Sequence, residues 1–474
     1  MKKLLFLSAL LVVLGICGCQ SEPEVVSKET LRGTTRSRNL RSIDEAIEIA
    51  NSSAAFFFGD NVSRSVGLRQ TADVRVVSGA RSRSESVDTL LYIVNYADSA
   101  GFAIIAADTR IEPLFAVTES GSYDGNRTGC PGFDMYMDMT LDYMYNRADS
   151  LPTYDPKLPY PGEPIFPGGG ETIDTTGWTW VTPGGGGGNT PQPNPGGTPY
   201  QTRESDQVTW HVKIDPIITN RWNQHSPWGD YCVNGVVGCG PLAVAMVLSY
   251  FEVPTHITGS YEEFRNGESD GVKIQDFALD WSRIKRFNKV DGSNVSSDLT
   301  RIEKLATMND MARLGRNIGF RSRANYVIAP NPNNNSTSTS LNENRSTLMS
   351  YGLKCTSITS YSSSEVAKMG SNIIIIRGAT ETIGHEWILD GIKRYTSVHT
   401  CYYREHDTDS WKVLSRQSSL CHYNHFNWGW GTLGVGWFND KVFKAAYYNS
   451  LDPSSSPYDG GDYKNDVKFI IVSR

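Results

Sequence analysis

The sequence predicts an α+β protein, because its helical and extended patterns occur in separate groups. In the second half of the chain, two helical stretches at 241–251 and 301–318 precede a series of apolar strands. In the first half, one capped helix precedes two apolar extended runs. Grouped rather than alternating elements are typical of α+β architecture. The length of 474 residues is sufficient for two or three domains.

The amino terminus has the pattern of a secretory signal. Two lysines precede an apolar run from Leu4 to Ile16, which is shorter than the roughly 20 residues of a membrane span. The following "ICGC" resembles a bacterial lipobox, and this resemblance implies that Cys19 becomes the lipidated amino terminus. We therefore expect an exported bacterial lipoprotein of the outer membrane or cell surface. An ordinary cleaved signal is the alternative.

A small domain and a linker follow the signal. Ser42 and Glu45 fit a capping box at the start of a helix. Apolar runs at 90–96 and 101–107 flank the polar "ADSAG", which indicates a hairpin. Residues 155–204 are rich in Gly, Pro and Thr without periodicity, which is typical of an exposed linker open to proteolysis. The predicted divisions are a signal peptide at 1–18, a polar tether at 19–38, a small α+β domain at 39–154, the linker at 155–204 and a second domain at 205–474.

The second domain begins with helices and ends with strands. The segment 241–251 is strongly apolar, and Pro241 lies in its first turn, where proline is tolerated. A partial apolar stripe predicts the helix at 301–318. Its members are Ile302, Leu305, Met308, Met311, Ala312 and Leu314. The predicted strands are 372–379, 385–395, 434–440 and 467–473.

Composition argues against several classes of function. The net charge is -6 and there is no basic cluster, so we expect no nucleic-acid partner. Eight cysteines are too few for a disulfide scaffold. Cys401 and Cys421 flank a polar insertion and can pair in an exported protein. "CHYNH", with Cys421, His422 and His425, looks like a metal motif but lacks a second ligand pair, so we expect no metal.

Cys239 lies at the mouth of the apolar helix, in "VGCGPLAVAM". Three interpretations are open: a buried structural thiol, a disulfide with Cys232, or a nucleophile. Gly238 and Gly240 allow close approach of the backbone to the thiol. The amino terminus of a helix favours a thiolate and supplies an N–H group near a developing oxyanion.

A nucleophile needs a base, and "GHEWILDG" contains a candidate. His385 begins an apolar strand 146 positions after Cys239, within the roughly 130–150 positions of papain-like enzymes. A core histidine is the alternative. A zinc-protease motif fails, because no histidine follows at the fourth position. In "NWGWG", the amide of Asn427 can fix the imidazole tautomer, and a neighbouring ring can shield that hydrogen bond.

Together these motifs resemble the streptopain family of papain-superfamily cysteine peptidases. "GC" before an Ala-rich helix, "GHEWILDG" and "FNWGWG" occur in that family's order, and "RWNQHSPW" matches the segment of its oxyanion-hole glutamine. The resemblance implies a papain-like catalytic domain, with the cysteine on a helical part and the histidine on an antiparallel sheet. The implied site is Cys239 as nucleophile, His385 as general base, Gln224 as oxyanion donor, Asn427 as orienter of the histidine and Trp428 as its cover.

The small domain resembles the family's inhibitory propeptide, through "IDEAIEIA" and "YIVNYADSAGFAIIAADTRIEPLFA". The resemblance, over about 40–150 and 205–474, implies a zymogen of a cysteine endopeptidase, activated by cleavage in the linker. The endopeptidase that the resemblance implies needs no cofactor. Its expected partners are peptide or protein substrates, the intramolecular propeptide and, through lipid alone, a membrane. The insertion after Arg394 is longer than the expected hairpin and is a candidate to reshape the cleft near His385. The alternative function is a catalytically silent surface lipoprotein that binds proteins or glycans.

Overall fold

The computed structural model describes residues 40–59, 69–80, 87–150, 200–258, 276–291, 298–379, 384–404, 406, 408–443 and 467–474, with short strands at 24–26, 172–173, 179–181, 261–265, 268–274 and 294–296. The predicted signal peptide, Cys19 and most of the tether and linker lie outside these residues. Among the described helices, none combines the length and the apolar character needed to cross a bilayer.

The described elements are seven α-helices and 23 strands. The helices are α1 (Ile43–Phe58), α2 (Pro131–Ser150), α3 (Cys239–Phe251), α4 (Trp281–Arg286), α5 (Arg301–Arg321), α6 (Leu341–Ser350) and α7 (Ser363–Val366). The strands up to α3 are β1 (Glu24–Val26), β2 (Thr71–Ala80), β3 (Val87–Tyr96), β4 (Phe102–Ala106), β5 (Leu114–Thr118), β6 (Thr172–Ile173), β7 (Thr179–Val181) and β8 (Tyr200–Ile214). Those up to α6 are β9 (His256–Ile257), β10 (Tyr261–Arg265), β11 (Glu268–Ile274), β12 (Phe277–Ala278), β13 (Lys289–Asp291), β14 (Asn294–Ser296), β15 (Asn325–Val327) and β16 (Ser336–Ser338). The last are β17 (Lys354–Cys355), β18 (Thr359–Ser360), β19 (Ile373–Ala379), β20 (Gly384–Arg404), β21 (Lys412–Asn427), β22 (Gly436–Asn439) and β23 (Lys468–Ser473).

The amino-terminal domain, here residues 40–150, packs α1 on an antiparallel sheet of β2 to β5. The predicted capping box is present: the Ser42 hydroxyl accepts from the Glu45 N–H, and the Glu45 carboxylate accepts from the Ser42 N–H. Ala46 and Ala50 bury one side of α1. The predicted hairpin is formed by β3 and β4, which a short 3₁₀ turn at Ala97–Ser99 connects. These local predictions are confirmed.

The sheet of the amino-terminal domain continues into the carboxy-terminal domain. β5 pairs antiparallel with β22, with Val117 opposite Trp437. The continuous strand order is β2-β3-β4-β5-β22-β21-β20-β19-β23. One apolar core spans both domains and contains Phe133 and Tyr136 of α2 beside Trp428 and Phe438. Edge pairing and a shared core therefore dock the amino-terminal domain on its partner.

The carboxy-terminal domain has a helical part and a sheet part. The four isoleucines of β19 alternate between two cores. Ile374 and Ile376 face the core that contains α2, whereas Ile373 and Ile375 face α3. A strand covered on both faces reads as a continuous apolar run, as "IIII" does. Cys239 begins the helical part and His385 lies on the sheet, so the predicted α+β arrangement is confirmed.

Two details of the predicted elements change. The prediction that Ile302 and Leu305 belong to the apolar stripe of α5 is wrong, because they are 81% and 61% exposed. The first two turns of α5 extend beyond the core, and burial of its apolar side chains begins further along the helix. In addition, β8 begins at Tyr200, inside the predicted linker, and β6 and β7 of that linker pair with β8.

The insertion after Arg394 lengthens the hairpin of β20 and β21, and β8 pairs along the free side of β20. His385 is near the start of β20, whereas Cys401 lies 16 positions later. At about 3.3 Å per residue, this is on the order of 50 Å along the strand. The described insertion therefore extends away from His385, and the prediction that it reshapes the cleft there is wrong.

Cys401 and Cys421, which the sequence leaves free to pair, do not form a disulfide. Cys421 is opposite Tyr395, whereas Cys401 is opposite Ser415, so the two cysteines are six positions out of register. This offset is roughly 20 Å, well beyond the about 7 Å between Cα atoms that a disulfide allows. Among the described residues, Cys130, Cys239, Cys355, Cys401 and Cys421 are free thiols, so the alternative disulfide of Cys239 with Cys232 does not form.

Candidate active site

Cys239 is the first residue of α3, and a tight turn delivers it there. Gly238 has a φ of 91°, and a Cβ at this position would lie 2.9 Å from the Thr337 carbonyl oxygen. A Cβ on Gly240 would overlap the amide of Asn344. Positive φ and close backbone approach both demand glycine. The two glycines therefore allow the start of α3 to lie in close contact with Thr337 and Asn344.

The Cys239 thiol is protonated in this conformation. Burial raises its pKa to about 11, and the Glu386 carboxylate contributes to the rise. Backbone N–H groups of Glu386 and Gly240 act in the opposite direction, as does Arg377. Cys239 keeps some solvent access, although protein atoms surround its sulfur densely. The expected thiolate is therefore wrong for this conformation, because burial and a neighbouring carboxylate outweigh the helix terminus.

Glu386 is a buried carboxyl group that the sequence did not single out. Asn344 donates to it at 2.8 Å, and Arg377 lies 3.5 Å from its second oxygen. Burial raises the pKa of Glu386 to about 7, against the lowering by Arg377 and Asn344. Adjacent residues of a strand point to opposite faces. Glu386 thus lies beside Cys239, while His385 points to the other face of β20.

His385 faces the amino-terminal domain. Its Nε2 donates to the Trp428 carbonyl oxygen at 2.8 Å, and the Cys130 thiol forms a second hydrogen bond with the ring. Burial alone would lower the pKa of His385, but these two contacts raise it. Trp387 stacks on the ring at 6.3 Å and Trp430 meets its edge at 6.1 Å. Among the described contacts, His385 and Cys239 share no hydrogen-bond partner, although the charge of Glu386 acts on both groups.

A fixed loop places Cys130 at the histidine. The Asp134 carboxylate accepts from the N–H and hydroxyl of Thr128, at 2.9 and 2.8 Å, and from the N–H of Gly129 at 3.2 Å. The carbonyl of Cys130 accepts from the Asp134 N–H and begins the helical hydrogen bonding of α2. The loop is thus tied to the first turn of the helix that follows it.

The first turn of α2 rests directly on the candidate base. A Cβ on Gly132 would lie 2.5 Å from His385 Cδ2 and 2.8 Å from Trp428 Cε3. The ring of Phe133 packs edge-on against Trp428, with centroids 6.3 Å apart. The helix backbone therefore covers both predicted site residues, and only glycine permits this approach.

The other predicted site residues are all buried, but their contacts differ from expectation. The Gln224 carbonyl oxygen accepts from the Val237 N–H at 2.9 Å, which places the Gln224 backbone beside the turn before Cys239.

Asn427 donates to the Asn220 carbonyl oxygen at 3.0 Å and accepts from the Gly429 N–H at 3.1 Å. Both polar groups of the Asn427 side chain are thus engaged elsewhere. Hence Asn427 does not orient His385 here.

Trp428 contacts the histidine through its backbone. Its carbonyl oxygen accepts from His385, while its indole N–H donates to the Gly434 carbonyl oxygen at 3.0 Å. The rings stacked on or edge-on to His385 belong to Trp387 and Trp430. Trp428 thus contacts His385 through its backbone carbonyl, and its expected role as cover of the histidine stays a prediction.

A buried charge network crosses the domain boundary, and sequence reasoning missed it. His425 Nδ1 lies 2.6 Å from Asp390, and its Nε2 lies 2.9 Å from Glu119 of the amino-terminal domain. Glu119 also pairs with Arg221. Burial opposes charging of both groups, yet the network raises the pKa of His425 to about 9 and lowers that of Glu119 to about 2. His425 therefore helps to bind the amino-terminal domain, a role that no local motif indicates.

The amino-terminal domain thus covers His385 and Trp428, and Cys239 begins α3 in the carboxy-terminal domain. Residues 222–438 match the Peptidase C10 family, and residues 39–141 match the Spi protease inhibitor family. The chain is thus a cysteine peptidase with its own inhibitory propeptide domain, a zymogen protease, as the streptopain resemblance implies. The active wild-type interpain A cysteine protease of Prevotella intermedia is a structural neighbour with 17% identity and a TM-score of 0.35, covering 56% of this chain and 95% of that one. No curated protein sequence matches the chain.

Proposed function

We propose that the protein is a lipid-anchored cysteine endopeptidase in which Cys239 is the nucleophile and His385 the general base. The contact of Gly132 with His385 and Trp428 carries this proposal. A domain of the Spi inhibitor family rests the backbone of its helix on that histidine. An inhibitory domain blocks activity by occupying a group that the reaction uses, and His385 is that group.

The proposed reaction is acyl transfer. The Cys239 thiolate attacks the peptide carbonyl carbon, while the Cys239 backbone N–H and Gln224 stabilise the oxyanion. His385 protonates the departing amine, and a thioester remains. His385 then removes a proton from water, which attacks the thioester and releases the carboxylic acid and the thiol. These steps use only side chains, backbone and water, so the proposal includes no cofactor.

The proposed latency has two parts. Cys239 is protonated beside Glu386, and His385 is held by Cys130 and the Trp428 carbonyl. Cleavage in the linker and departure of α2 would free the histidine to pair with the thiol. Asn427 can orient His385 in the active form only after it exchanges its hydrogen bonds to Asn220 and Gly429.

The lipid anchor rests on "ICGC", outside the described residues. We expect labelled palmitate to be incorporated into the protein in a bacterial host, and Cys19→Ser to abolish the incorporation. Equal labelling of both proteins would contradict the anchor.

The catalytic assignment predicts covalent labelling by a peptidyl epoxide. After trypsin cleavage in the linker, the wild type should be labelled at Cys239 and should hydrolyse an unstructured protein. Cys239→Ala should abolish both, and His385→Ala should reduce hydrolysis on the order of 10³-fold or more. Cys355→Ser is the control and should behave as wild type. Cleaved wild type that neither takes the probe nor hydrolyses protein would instead indicate the silent binding lipoprotein.

A further inference from the structure

A cluster of polar side chains lies on the ribbon of β8 and β20, far along β20 from His385. Glu204 is directly opposite Cys401, and Asp206 is directly opposite His399. The two residues on each strand are separated by one position, so all four side chains project from the same face. The register of two strands, rather than a local motif, therefore creates the cluster.

The distances within the cluster suit a metal ion. The ligand atoms of Glu204, His399 and Cys401 all lie within 4.8 Å of one another. His399 Nε2 is 3.2 Å from Cys401 Sγ, which is 3.8 Å from a Glu204 oxygen. Zinc bonds of about 2.3 Å to sulfur and 2.0–2.1 Å to nitrogen or oxygen, at tetrahedral angles, separate such ligand atoms by about 3.6 Å. The observed separations lie on either side of that value.

Asp206 prepares the histidine for coordination. Its carboxylate lies 2.8 Å from His399 Nδ1, and Asp206 is 5% exposed. This hydrogen bond holds the proton on Nδ1 and turns Nε2 toward the thiol. Metal-binding histidines are commonly held by a carboxylate in the same way. The buried carboxylate thus gives the cluster the support that a chance surface grouping lacks.

We propose that Glu204, His399 and Cys401 bind a zinc ion, with Asp206 as the supporting residue. Thiolate, imidazole and carboxylate together favour zinc over the oxygen-seeking Ca²⁺ and Mg²⁺. Three protein ligands leave the fourth tetrahedral position to water. The ion joins the long hairpin to β8, which begins at Tyr200 inside the predicted linker. The site would therefore anchor the amino-terminal strand of the peptidase after cleavage before Tyr200. The cluster is separate from "CHYNH" and arises from the pairing of two strands that are distant in sequence.

Zinc binding to the full chain tests the proposal. All proteins should carry Cys239→Ala, which removes the reactive thiol and prevents self-cleavage. Equilibrium dialysis with Zn²⁺ should give one tight site per chain. Asp206→Asn should weaken it about 10–100-fold, and Cys401→Ser or His399→Gln by at least as much. Cys355→Ser is the matched control and should leave the affinity unchanged.

A second readout separates lost binding from misfolding. Co²⁺ bound by a thiolate gives a near-ultraviolet charge-transfer band, which Cys401→Ser should abolish and Cys355→Ser should retain. Unfolding temperatures in a chelator should agree among the proteins, and Zn²⁺ should raise the temperature only where the site is intact. A zinc affinity and cobalt band that survive Cys401→Ser would overturn the proposal and place the metal elsewhere, for example at Cys130 and His385.

Discussion

Removal of the amino-terminal domain is expected to increase the alkylation rate of Cys239 at pH 7 by roughly 10³-fold or more. In the intact chain the pKa of the thiol is about 11, so about one molecule in 10⁴ is ionised at pH 7. A cysteine at a helix amino terminus beside a histidinium has a pKa of about 3.5–7.5. Freeing His385 from Cys130 and Trp428 should move Cys239 into that range.

The pH profile distinguishes ionisation from simple uncovering. In the intact chain, the rate with iodoacetamide should rise about tenfold per pH unit up to a midpoint near 11. In the cleaved protein the alkylation rate should level off above a Cys239 pKa of about 3.5–7.5. Uncovering alone would return the midpoint only to about 8.5, the ordinary value for cysteine, because burial is the main cause of the raised pKa. Burial also raises the pKa of Cys355 to about 11, so this residue is an internal control. Its alkylation rate, followed by peptide mass spectrometry, should be the same in the intact and the cleaved protein. An unchanged Cys239 midpoint would contradict this account of latency.

Gly132→Ala is expected to loosen the amino-terminal domain, although alanine is the better helix former. By propensity alone, the change would stabilise α2 by up to about 1 kcal/mol. The added Cβ, however, would lie 2.5 Å from His385 and 2.8 Å from Trp428. Overpacking of this kind typically costs about 1–3 kcal/mol, so Cys239 of the uncleaved chain should be alkylated on the order of 10-fold faster. The clash therefore predicts faster alkylation of Cys239 in Gly132→Ala, whereas helix propensity predicts slower alkylation.

The Cys239 alkylation rates of Gly132→Ala and of a matched variant decide between the clash and the helix propensity. Cys130→Ser replaces the thiol beside His385 by a hydroxyl that can also hydrogen-bond, and it is the matched variant, with a Cys239 alkylation rate expected within a few-fold of wild type. A slower rate in Gly132→Ala would mean that helix propensity prevails and that α2 is not pressed on the histidine. The rate of limited proteolysis should rank wild type, Gly132→Ala and Cys130→Ser in the same order as the alkylation rate does.

Local patterns predicted the elements that carry the site, because their signals lie in adjacent residues. The capping box of Ser42, the apolar helix after Cys239 and the isoleucines of β19 each depend on a few neighbours in sequence. The grouping of helices before strands then gave the α+β class. In the same way, His385 and Trp428 come together as their motifs indicate.

The remaining features depend on residues that are distant in sequence. Cys130 meets His385 because β5 pairs with β22 and brings α2 over the sheet. The charge pair of Glu119 with His425 arises from the same docking. The thiol pKa was misjudged because a helix terminus is visible in the sequence, whereas the proximity of Glu386 is not. The hydrogen bonds of the Asn427 amide to Asn220 and Gly429 are likewise not visible in the sequence, and its role as orienter in the active form stays a prediction.

The most direct test of the central claim is the intact mass of the chain from residue 20 onward, followed over time beside Cys239→Ala. The claim is that Cys239 is a nucleophile covered by its own amino-terminal domain. It predicts that the wild type loses an amino-terminal piece ending between residues 150 and 205, while Cys239→Ala stays whole. Equal cleavage of both proteins, or cleavage of neither, would contradict self-activation by Cys239.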